Sequence, residues 1–362
     1  MRVQRATRGK VEDSSRAWHD APQFTDAVGD APRRFVAWTL ASLAAGMLAI
    51  ASFNLLVDPY GTAGTGIFPT GLPRDVSLKA DLLDRLPSAP DTVVLGSSRA
   101  LKVDPRRITA DTGHTAFNTG GRAGGPPEAY ALLEHLHARF PDARPRVVWI
   151  LDQEAFRHNG LQPDLVNDPR FRRFLPNKRR QVDKPGLDAW RLFSWSEATD
   201  SMRVVEADIN NKLGRTRRAK RNGGFRPDGY YVPDQNYNFN LAYSKYLNIY
   251  RHGFTPQPIP QLYLQRTLAA TTAWGVRPLI VIPPMQPRLL AAVQKLGWTA
   301  RHRWLLAMLA DLHTRYRFDV ADMSSITDFG GSADGFYDPV HMRPSNADRL
   351  VDVLASRYPG DI

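Results

Sequence analysis

One stretch decides the fold, and it reads Thr92-Val93-Val94-Leu95-Gly96-Ser97-Ser98-Arg99. Its first four residues form a short apolar run, which is typical of a strand buried on both faces of a parallel sheet. The glycine that follows predicts a tight turn at the carboxyl end of this strand. In such a turn Ser98 can expose its hydroxyl and point its backbone N–H toward an oxyanion. The same serines also fit an ordinary helix cap, so the turn alone does not establish a reaction.

Strands and helices alternate along the chain after residue 90. Further short apolar runs occur at 115–118, 147–151, 279–282 and 318–320. Apolar residues with helical spacing lie between them at 128–140, 261–274 and 304–316, and a last helix starts after Pro344-Ser345-Asn346. We expect Ser345 and Asp348 to form a capping-box-like start to that helix. The alternation predicts an α/β fold, a three-layer α/β/α domain with a parallel sheet and right-handed crossovers.

A basic and aromatic segment, residues 157–257, interrupts this alternation. Its two basic clusters are Arg170, Arg172, Arg173, Lys178, Arg179 and Arg180, then Arg215, Arg217, Arg218, Lys220 and Arg221. About 100 residues cannot form one simple connection, so we predict a partly helical insertion over one edge of the sheet. We expect it to line the cleft and to bind an anionic or sugar-rich partner, with Phe225, Tyr230 and Tyr231 stacking on sugar rings. A solvated basic loop is the alternative.

Composition limits the class of protein. The chain has 362 residues, 43% of them hydrophobic and 23% charged, which provides a real core and excludes a mainly disordered chain. It has no cysteine, which excludes a disulfide scaffold, a thiolate zinc site and a cysteine nucleophile. The net charge of +12 is compatible with nucleic-acid binding or with a domain that faces anionic lipid or glycan. No nucleic-acid-binding signature is present, so we expect no nucleic-acid partner.

Residues 35–57 form a candidate transmembrane helix. They carry no charge, and a helix of that length is about 35 Å long, enough to cross a hydrocarbon core of about 30 Å. A buried core helix is usually shorter and has a polar face. A cleaved signal peptide starts close to the first residue and has an apolar region of roughly 7–15 residues, whereas 34 residues precede this one. We therefore predict an uncleaved anchor that crosses the lipid bilayer once.

Charge on the two sides of this helix predicts its orientation. Arg33 and Arg34 abut it directly, and the residues before them add Arg2, Arg5, Arg8, Lys10 and Arg16. On the other side, no Lys or Arg occurs before Arg74. Because positive charge stays on the cytoplasmic side, we expect the N-terminus inside, the helix in the inner (cytoplasmic) membrane, and residues 58–362 extracytoplasmic. The segments are then a disordered cytoplasmic tail at 1–34, a linker and lead-in at 58–89, and the α/β domain at 90–362.

Two more polar motifs accompany the serine turn. The first follows the run at 115–118 and reads Asn118-Thr119-Gly120-Gly121-Arg122-Ala123-Gly124-Gly125. It lacks both the dinucleotide fingerprint and a Walker lysine. The second precedes the last helix and reads Asp338-Pro339-Val340-His341. Its aspartate can fix the imidazole tautomer while the other ring nitrogen acts as a base, although a flexible loop and a turn leading into a helix are the ordinary explanations of these motifs.

Together the three motifs resemble those of the SGNH/GDSL hydrolase superfamily. In that family the first block, G-D-S, carries the nucleophile, and Ser98 matches it at the end of the triplet Gly96-Ser97-Ser98. The last block, D-x-x-H, matches Asp338 and His341. The resemblance implies a flavodoxin-like SGNH domain in which Ser98, His341 and Asp338 form a catalytic triad.

The family's oxyanion-binding groups are matched less completely. Its second block, N-x-G-x-x-G, aligns with Asn118, but the second glycine is displaced by one residue. The candidates for the oxyanion glycine are Gly120, Gly121 and Gly124. The third block, G-x-N-D, has no match, because the third strand ends in Trp149-Ile150-Leu151-Asp152 without an asparagine. Asn118 or a residue of the insertion then has to replace that donor, and we also place Asp152 and Arg99 in the oxyanion and substrate-binding region.

The sequence G-S-S-R in place of G-D-S-L, behind an anchoring helix, resembles a narrower branch of the family. Its members include alginate O-acetyltransferase-like and lipoteichoic-acid D-alanylation proteins, which work beside a multi-span membrane acyltransferase. The resemblance implies an extracytoplasmic serine esterase or O-acyltransferase, transferring acetyl groups, that acts on a cell-surface or secreted glycan. It implies no cofactor, and the scattered histidines predict no metal site. The alternative is a non-catalytic polysaccharide-binding or scaffold protein on a degenerate SGNH fold, which the missing asparagine favours.

Overall fold

The structure, a computed structural model, describes residues 31–59, 63, 65, 67–68, 75–122, 124–171, 173–175, 192–213, 224–233 and 238–362. The predicted cytoplasmic tail lies outside the described residues, apart from its last four positions. Arg74 and Arg172 also lie outside them, as do the basic residues at 178–180 and 215–221. Of the basic clusters predicted in the insertion, only Arg170 and Arg173 are therefore described.

A five-stranded parallel sheet forms the centre of the domain. Its strands are β1 (Thr92–Gly96), β2 (Ala116–Asn118), β3 (Arg146–Ile150), β4 (Leu279–Ile282) and β5 (Asp319–Asp322). Their order across the sheet is β2-β1-β3-β4-β5, and every neighbouring pair is parallel. This confirms the predicted α/β fold with a parallel sheet, and each strand begins within one residue of its predicted start.

Eleven α-helices occur in the described residues. They are α1 (Ala31–Val57), α2 (Asp75–Leu83), α3 (Pro105–Thr112), α4 (Pro126–Arg139), α5 (Pro163–Asn167), α6 (Trp195–Lys212), α7 (Phe239–His252), α8 (Pro258–Ala273), α9 (Pro287–Gln294), α10 (Trp298–His313) and α11 (Pro344–Arg357). The predicted start of α11 was wrong, because Arg343 rather than Ser345 is its N-cap residue and no side chain caps it. Pro344 begins the helix instead, since its fixed φ suits the first helical position.

The strands direct alternate side chains into two apolar clusters, one on each face of the sheet. Val93, Leu95 and Trp149 point into the first cluster, to which α2, α4, α8 and α10 contribute. Val94 and Val148 point into the second cluster, to which α3 and α11 contribute. Helices thus cover both faces of the sheet, which is why the strands appear in the sequence as unbroken apolar runs.

The buried core begins before residue 90. Within the segment that the sequence assigns to linker and lead-in, α2 places Ala80 and Leu83 fully inside the first apolar cluster. Lys79, on the same helix, is also fully buried. The domain therefore includes α2, and its boundary lies upstream of the predicted one.

Among the described residues, α1 is the one helix long and apolar enough to span a membrane. Within its candidate span, Pro32–Val57, an 18-residue window has a mean hydropathy of 2.0, and 11% of that window is buried. Large apolar side chains such as Phe35 and Trp38 are exposed, whereas a core helix would bury them. Within the part of the chain that the structure describes, the buried residues of α1 are confined to its last two turns and include Ala51 and Asn54.

The described part of the insertion is helical, with α5, α6, α7 and one irregular segment at 224–233. In that segment Phe225 and Tyr231 form an isolated antiparallel bridge. The backbone N–H of Asn118, the last residue of β2, donates to Asp228 O at 2.9 Å. Residues 224–233 therefore lie along the β2 edge of the sheet.

Candidate active site

The serine turn and the Asp-x-x-His motif meet in space. Ser98 Oγ lies 2.8 Å from His341 Nε2, although the two residues are 243 positions apart in the chain. His341 Nδ1 lies 2.7 Å from Asp338 Oδ2. The three side chains form one hydrogen-bonded chain, with a nucleophile, a base and a group that orients the base.

Gly96 makes the turn that presents Ser98. Its φ is 151°, in the region that L side chains rarely adopt. A Cβ at this position would lie 2.8 Å from Ala100 Cβ and from a backbone oxygen of β3, so only glycine fits. A 3₁₀ turn, Ser98–Ala100, follows, and Ser97 Oγ caps it by accepting the Arg99 N–H at 3.4 Å. Ser97 therefore has a structural role, whereas the Ser98 hydroxyl faces His341.

The position of β1 in the sheet explains why a site forms after it. The connection from β1 leads to β2 on one side, and β3 lies on the other side. In an open α/β sheet such a change of direction leaves a crevice at the carboxyl ends of the strands, where ligands bind. Ser98 follows β1 by two residues and therefore lies in the crevice that the sheet topology provides.

Asp338 is held as a carboxylate by its own loop. Its Oδ1 accepts the backbone N–H groups of Val340 and His341, each at 2.9 Å. Burial raises the pKa of Asp338, but the hydrogen bond and charge of His341, together with these N–H groups, outweigh burial and hold that pKa below its ordinary value of 3.8. Because a carboxylate only accepts hydrogen bonds, His341 Nδ1 carries a proton, and in the neutral imidazole Nε2 then presents its lone pair to the Ser98 hydroxyl.

The loop that carries Asp338 and His341 is fixed to the core. An isolated antiparallel bridge joins Phe336 to Met342, and both side chains lie in the second apolar cluster. The Gln286 N–H, at the start of α9, donates to the carbonyl of Pro339 at 2.9 Å. These contacts hold the base in place before any substrate binds.

Carboxylates fix both ends of the glycine-rich loop beside the serine turn. Asp75 accepts the backbone N–H of Arg122 and pairs with its guanidinium, each at 2.6 Å. Glu128 Oε2 accepts the Gly125 N–H at 2.7 Å, at the start of α4. Burial raises the pKa of Glu128 to about 7. Arg122 and Gly125 are therefore held by contacts that the ordinary explanation of a flexible loop does not require.

The backbone N–H groups of the three candidate oxyanion glycines already have acceptors. Gly120 N–H donates to Asn118 Oδ1 at 2.7 Å, Gly121 N–H to Gly96 O at 3.3 Å, and Gly124 N–H to Gly121 O at 3.1 Å. The bond of Gly121 is the longest of the three and therefore the weakest.

Asn118 is committed to the fold. Its Nδ2 donates to Ala100 O and Val103 O, each at 2.8 Å, while its Oδ1 accepts the Gly120 N–H. The side chain is fully buried and ties the end of β2 to the turn after Ser98. Both N–H groups of the amide are used, so Asn118 does not replace the missing asparagine in this structure.

Arg99 and Asp152 lie behind the nucleophile and not in an open cleft. Arg99 is 6% exposed, and its guanidinium lies 3.6 Å from Asp152 and 3.5 Å from Glu154. It also donates to Pro284 O at 2.6 Å. The two residues predicted to contact substrate thus hold the turn that carries Ser98 against the interior.

Glu154 and Tyr250 extend this buried network, and the sequence analysis missed both. The Tyr250 hydroxyl donates to Glu154 Oε1. Burial, and then the charge of Asp152, raise the pKa of Glu154 to about 7. A signal was present in the sequence, because two carboxylates directly after a buried strand require a cationic partner. That partner is Arg99.

Two of the three aromatic residues that were predicted to stack on sugar rings, Phe225 and Tyr230, are buried, which contradicts that prediction for both. Phe225 and Tyr230 are 5% and 8% exposed. Lys79 Nζ lies 4.2 Å from the centre of the Phe225 ring, and the Arg226 guanidinium lies 4.3 Å from that of Tyr230. Packing against the β2 edge buries both rings, and Tyr231 alone of the three is partly exposed.

Lys79 fastens this segment to the sheet and was also missed. Its Nζ donates to Asn118 O at 2.6 Å and to Gly229 O at 2.5 Å. Burial lowers the pKa of Lys79 to about 7. The sequence signal is a lysine on the apolar face of α2, beside Ala80 and one turn before Leu83.

Comparisons with known proteins do not assign the chain to a family. No protein-family model matches it, and no curated protein matches its sequence. Within the part of the chain that the structure describes, no cluster of three or more His, Asp or Glu side chains could hold a metal ion. The resemblance to SGNH hydrolases therefore rests on the sequence motifs alone.

Proposed function

We propose that the protein is an extracytoplasmic serine esterase or O-acyltransferase of the SGNH type, acting on a cell-surface or secreted glycan. The observation that carries this proposal is the hydrogen-bonded chain from Ser98 through His341 to Asp338. It lies in the crevice beside β1, where an α/β sheet binds its ligands. An ordinary surface serine and histidine would need neither the strained glycine before Ser98 nor the buried aspartate behind His341.

The chemistry follows from these positions. Ser98 Oγ attacks the carbonyl carbon of an acyl ester, and its proton passes to His341 Nε2. The tetrahedral intermediate collapses as the ester C–O bond breaks, and His341 returns the proton to the departing alcohol. Asp338 stabilises the imidazolium that forms between these two steps. The acyl group is then on Ser98, and water or a glycan hydroxyl removes it by the same steps in reverse.

The oxyanion that forms in each half-reaction needs donors. The Ser98 backbone N–H is one, since it belongs to the nucleophile's own turn. The second donor in this proposal is the Gly121 N–H, which exchanges its 3.3 Å bond to Gly96 O for the developing oxyanion. Hydrogen bonds to a charged acceptor are stronger than those to a carbonyl, which favours the exchange in the transition state.

The cellular setting is part of the proposal. α1 supplies the anchor, and Arg33 with Arg34 at its N-terminal end favours a cytoplasmic N-terminus and an extracytoplasmic domain. A single anchored acyltransferase domain needs a source of acyl groups, so a multi-span membrane acyltransferase is the partner we propose, with acetyl as the acyl group. Hydrolase and transferase differ only in which hydroxyl attacks the acyl-enzyme.

A second candidate function is a non-catalytic glycan-binding or scaffold protein on a degenerate SGNH fold. The engaged N–H groups of Gly120, Gly121 and Gly124 favour it, as does the commitment of Asn118 to the fold. A site without oxyanion donors would bind an ester but would not stabilise the transition state.

Labelling with a fluorophosphonate distinguishes the two candidates, because this reagent reacts with an activated serine and not with an ordinary one. We expect the full chain, in detergent, to be labelled, and Ser98→Ala to lose the label. Ser97→Ala is the matched control, since it removes the neighbouring hydroxyl without touching His341. Absence of labelling in the wild-type protein would contradict the enzyme and favour the binding protein.

A further inference from the structure

Helix α6 presents an apolar stripe that no described part of the chain covers. Trp195, Met202, Ile209 and Leu213 are 69%, 47%, 49% and 57% exposed. They follow one another at intervals of seven, seven and four residues, which correspond to two, two and one helical turns. Leu213 directly follows the last residue of α6 and still donates its N–H to Ile209 O at 2.9 Å. The four side chains therefore lie on one face of the helix and its extension, and a surface of this kind indicates an interaction partner.

A different face of α6 packs against α1. Ala198, Ser201 and Val204 are buried there at helical spacing. On α1 the residues from 32 to 49 are exposed, and burial starts only near Ala51. If α6 ran alongside α1, it would bury a row of α1 side chains over much of the length of α1. It contacts only the end of α1 instead.

Asn54 fixes the depth of this contact. Its Nδ2 donates to Leu192 O at 2.7 Å and to Ser194 O at 3.3 Å, and its Oδ1 accepts the Ser201 hydroxyl at 2.9 Å. Asn54 lies one turn before Asp58, the polar residue that directly follows the last residue of α1. In a membrane-spanning α1 this turn is at the outer boundary of the hydrocarbon region, so α6 begins at the level of the lipid headgroups.

We propose that α6 lies along the surface of the bilayer that α1 crosses, with the stripe Trp195–Met202–Ile209–Leu213 in contact with lipid. Interfacial helices bury an apolar face by about 5–10 Å, and tryptophan is enriched at that depth. The 18 residues of α6 extend for about 27 Å, so the helix contacts the bilayer along its length and not at a single residue. The contacts of α6 and α1 with the bilayer together fix the orientation of the domain relative to the membrane. An anchor formed by α1 alone would leave that orientation free.

The net charge of α6 indicates whether the lipid headgroups or the hydrocarbon of the bilayer attract this helix. The helix carries four acidic and two basic residues, which are Glu197, Asp200, Glu206 and Asp208 against Arg203 and Lys212. A net negative helix is repelled by anionic headgroups, so the attraction must come from the apolar stripe. Its contact with the bilayer therefore does not weaken as salt is raised, because salt screens only the repulsion. The proposal requires α1 to span the membrane and does not depend on the chemistry of Ser98.

The absence of native cysteine makes the test direct. We would introduce Met202→Cys or Ile209→Cys into the full chain, attach an environment-sensitive fluorophore, and reconstitute it in vesicles of phosphatidylethanolamine and phosphatidylglycerol. Arg203→Cys is the matched control, because it is exposed on α6 but lies away from the stripe. Leu43→Cys, in the middle of α1, reports whether α1 itself is inserted.

We expect lipids with brominated acyl chains to quench most fluorescence at 43, 202 and 209 and to spare 203, at low and at high salt. Quenching at 43 without quenching at 202 and 209 would overturn the proposal, and would leave that face to a protein partner. Quenching at 202 but not at 209 would mean that α6 points away from the bilayer, which also overturns it. No quenching at 43 would overturn the membrane anchor and this proposal together.

Discussion

Ser98 Oγ and His341 Nε2 lie 2.8 Å apart, at hydrogen-bond distance. Ser98 is positioned by the turn at Gly96, whose positive φ favours glycine, and by the buried guanidinium of Arg99. His341 owes its position to Asp338 and to the loop that Phe336 and Met342 close. Two separate parts of the core therefore position the two side chains of this hydrogen bond. A substitution of either residue tests it.

If Ser98 and His341 act as one unit, their losses are not additive. We expect Ser98→Ala and His341→Ala each to lower kcat by on the order of 10⁴-fold or more, and the double variant to fall no further. Hydrolysis of p-nitrophenyl acetate and the acyl content of the surface glycan in cells measure this. Ser97→Ala is the control and should keep most activity. A double variant far below both single variants would show that the two residues act separately.

Replacement of Asp338 tests both activity and acid stability. Asp338→Asn should lower kcat by up to about 10⁴-fold, because an amide can stabilise the wrong imidazole tautomer. The pKa of Asp338 is lowered in the folded state, so its carboxylate contributes stability above the ordinary value of 3.8 and loses that contribution as pH falls through the folded pKa. The difference in Tm between wild type and Asp338→Asn should therefore shrink as pH drops below about 4. A difference that is constant with pH would contradict the charged, hydrogen-bonded Asp338.

Arg99 should be required for folding stability rather than for substrate contact. Arg99→Met leaves Asp152 and Glu154 buried without a cation, and we expect the free energy of unfolding to fall by about 3–5 kcal/mol. Urea denaturation of the full chain measures the change. The double variant Arg99→Met with Glu154→Gln should recover part of the loss, because one buried charge has been removed. A stable Arg99→Met with a raised KM would instead assign Arg99 to the substrate.

Lys79 predicts a rise in stability with pH. Burial lowers its pKa from 10.5 to about 7, so the unfolded chain binds more protons between these values and the folded state gains stability as pH rises through that range. Lys79→Met removes the titrating group but leaves Asn118 O and Gly229 O without their donor. The Tm of wild type minus that of Lys79→Met should therefore grow from pH 7 to pH 10. A difference that falls over this range would contradict the lowered pKa.

The orientation of the anchor is open to a simple test. Protease added outside spheroplasts should digest residues 58–362 and spare a tag fused to the N-terminus, because Arg33 and Arg34 stay on the cytoplasmic side. Immunoblotting detects the N-terminal tag and the C-terminal domain separately. Permeabilised cells, in which the protease reaches both, are the control. A protected C-terminal domain would reverse the topology and remove the extracytoplasmic substrate from the proposal.

Local patterns in the sequence determined the strands, the parallel sheet and the apolar helix. Strands buried on both faces leave unbroken apolar runs, and a membrane-length helix leaves a run without charge, so both can be read within a few neighbouring residues. The identity of Ser98, Asp338 and His341 as a group also came from the sequence, through the resemblance of three separate motifs. The start of α11 was misplaced, because the preference of Pro344 for the first helical position outweighed the side-chain cap of Ser345.

Only the tertiary structure decided what lies around Ser98 and which polar groups are already engaged. Asn118, Arg99 and Asp152 are polar residues at strand ends, and the sequence cannot distinguish a group that faces substrate from one that holds two elements together. The partners that make this distinction, such as Pro284 for Arg99 and Val103 for Asn118, are set by long-range packing. The same holds for Phe225 and Lys79, which the insertion and α2 bring together from 146 positions apart. Local sequence determines the elements, because their physics is local; packing determines which side chains remain free to act, because a hydrogen-bond partner can come from anywhere in the chain.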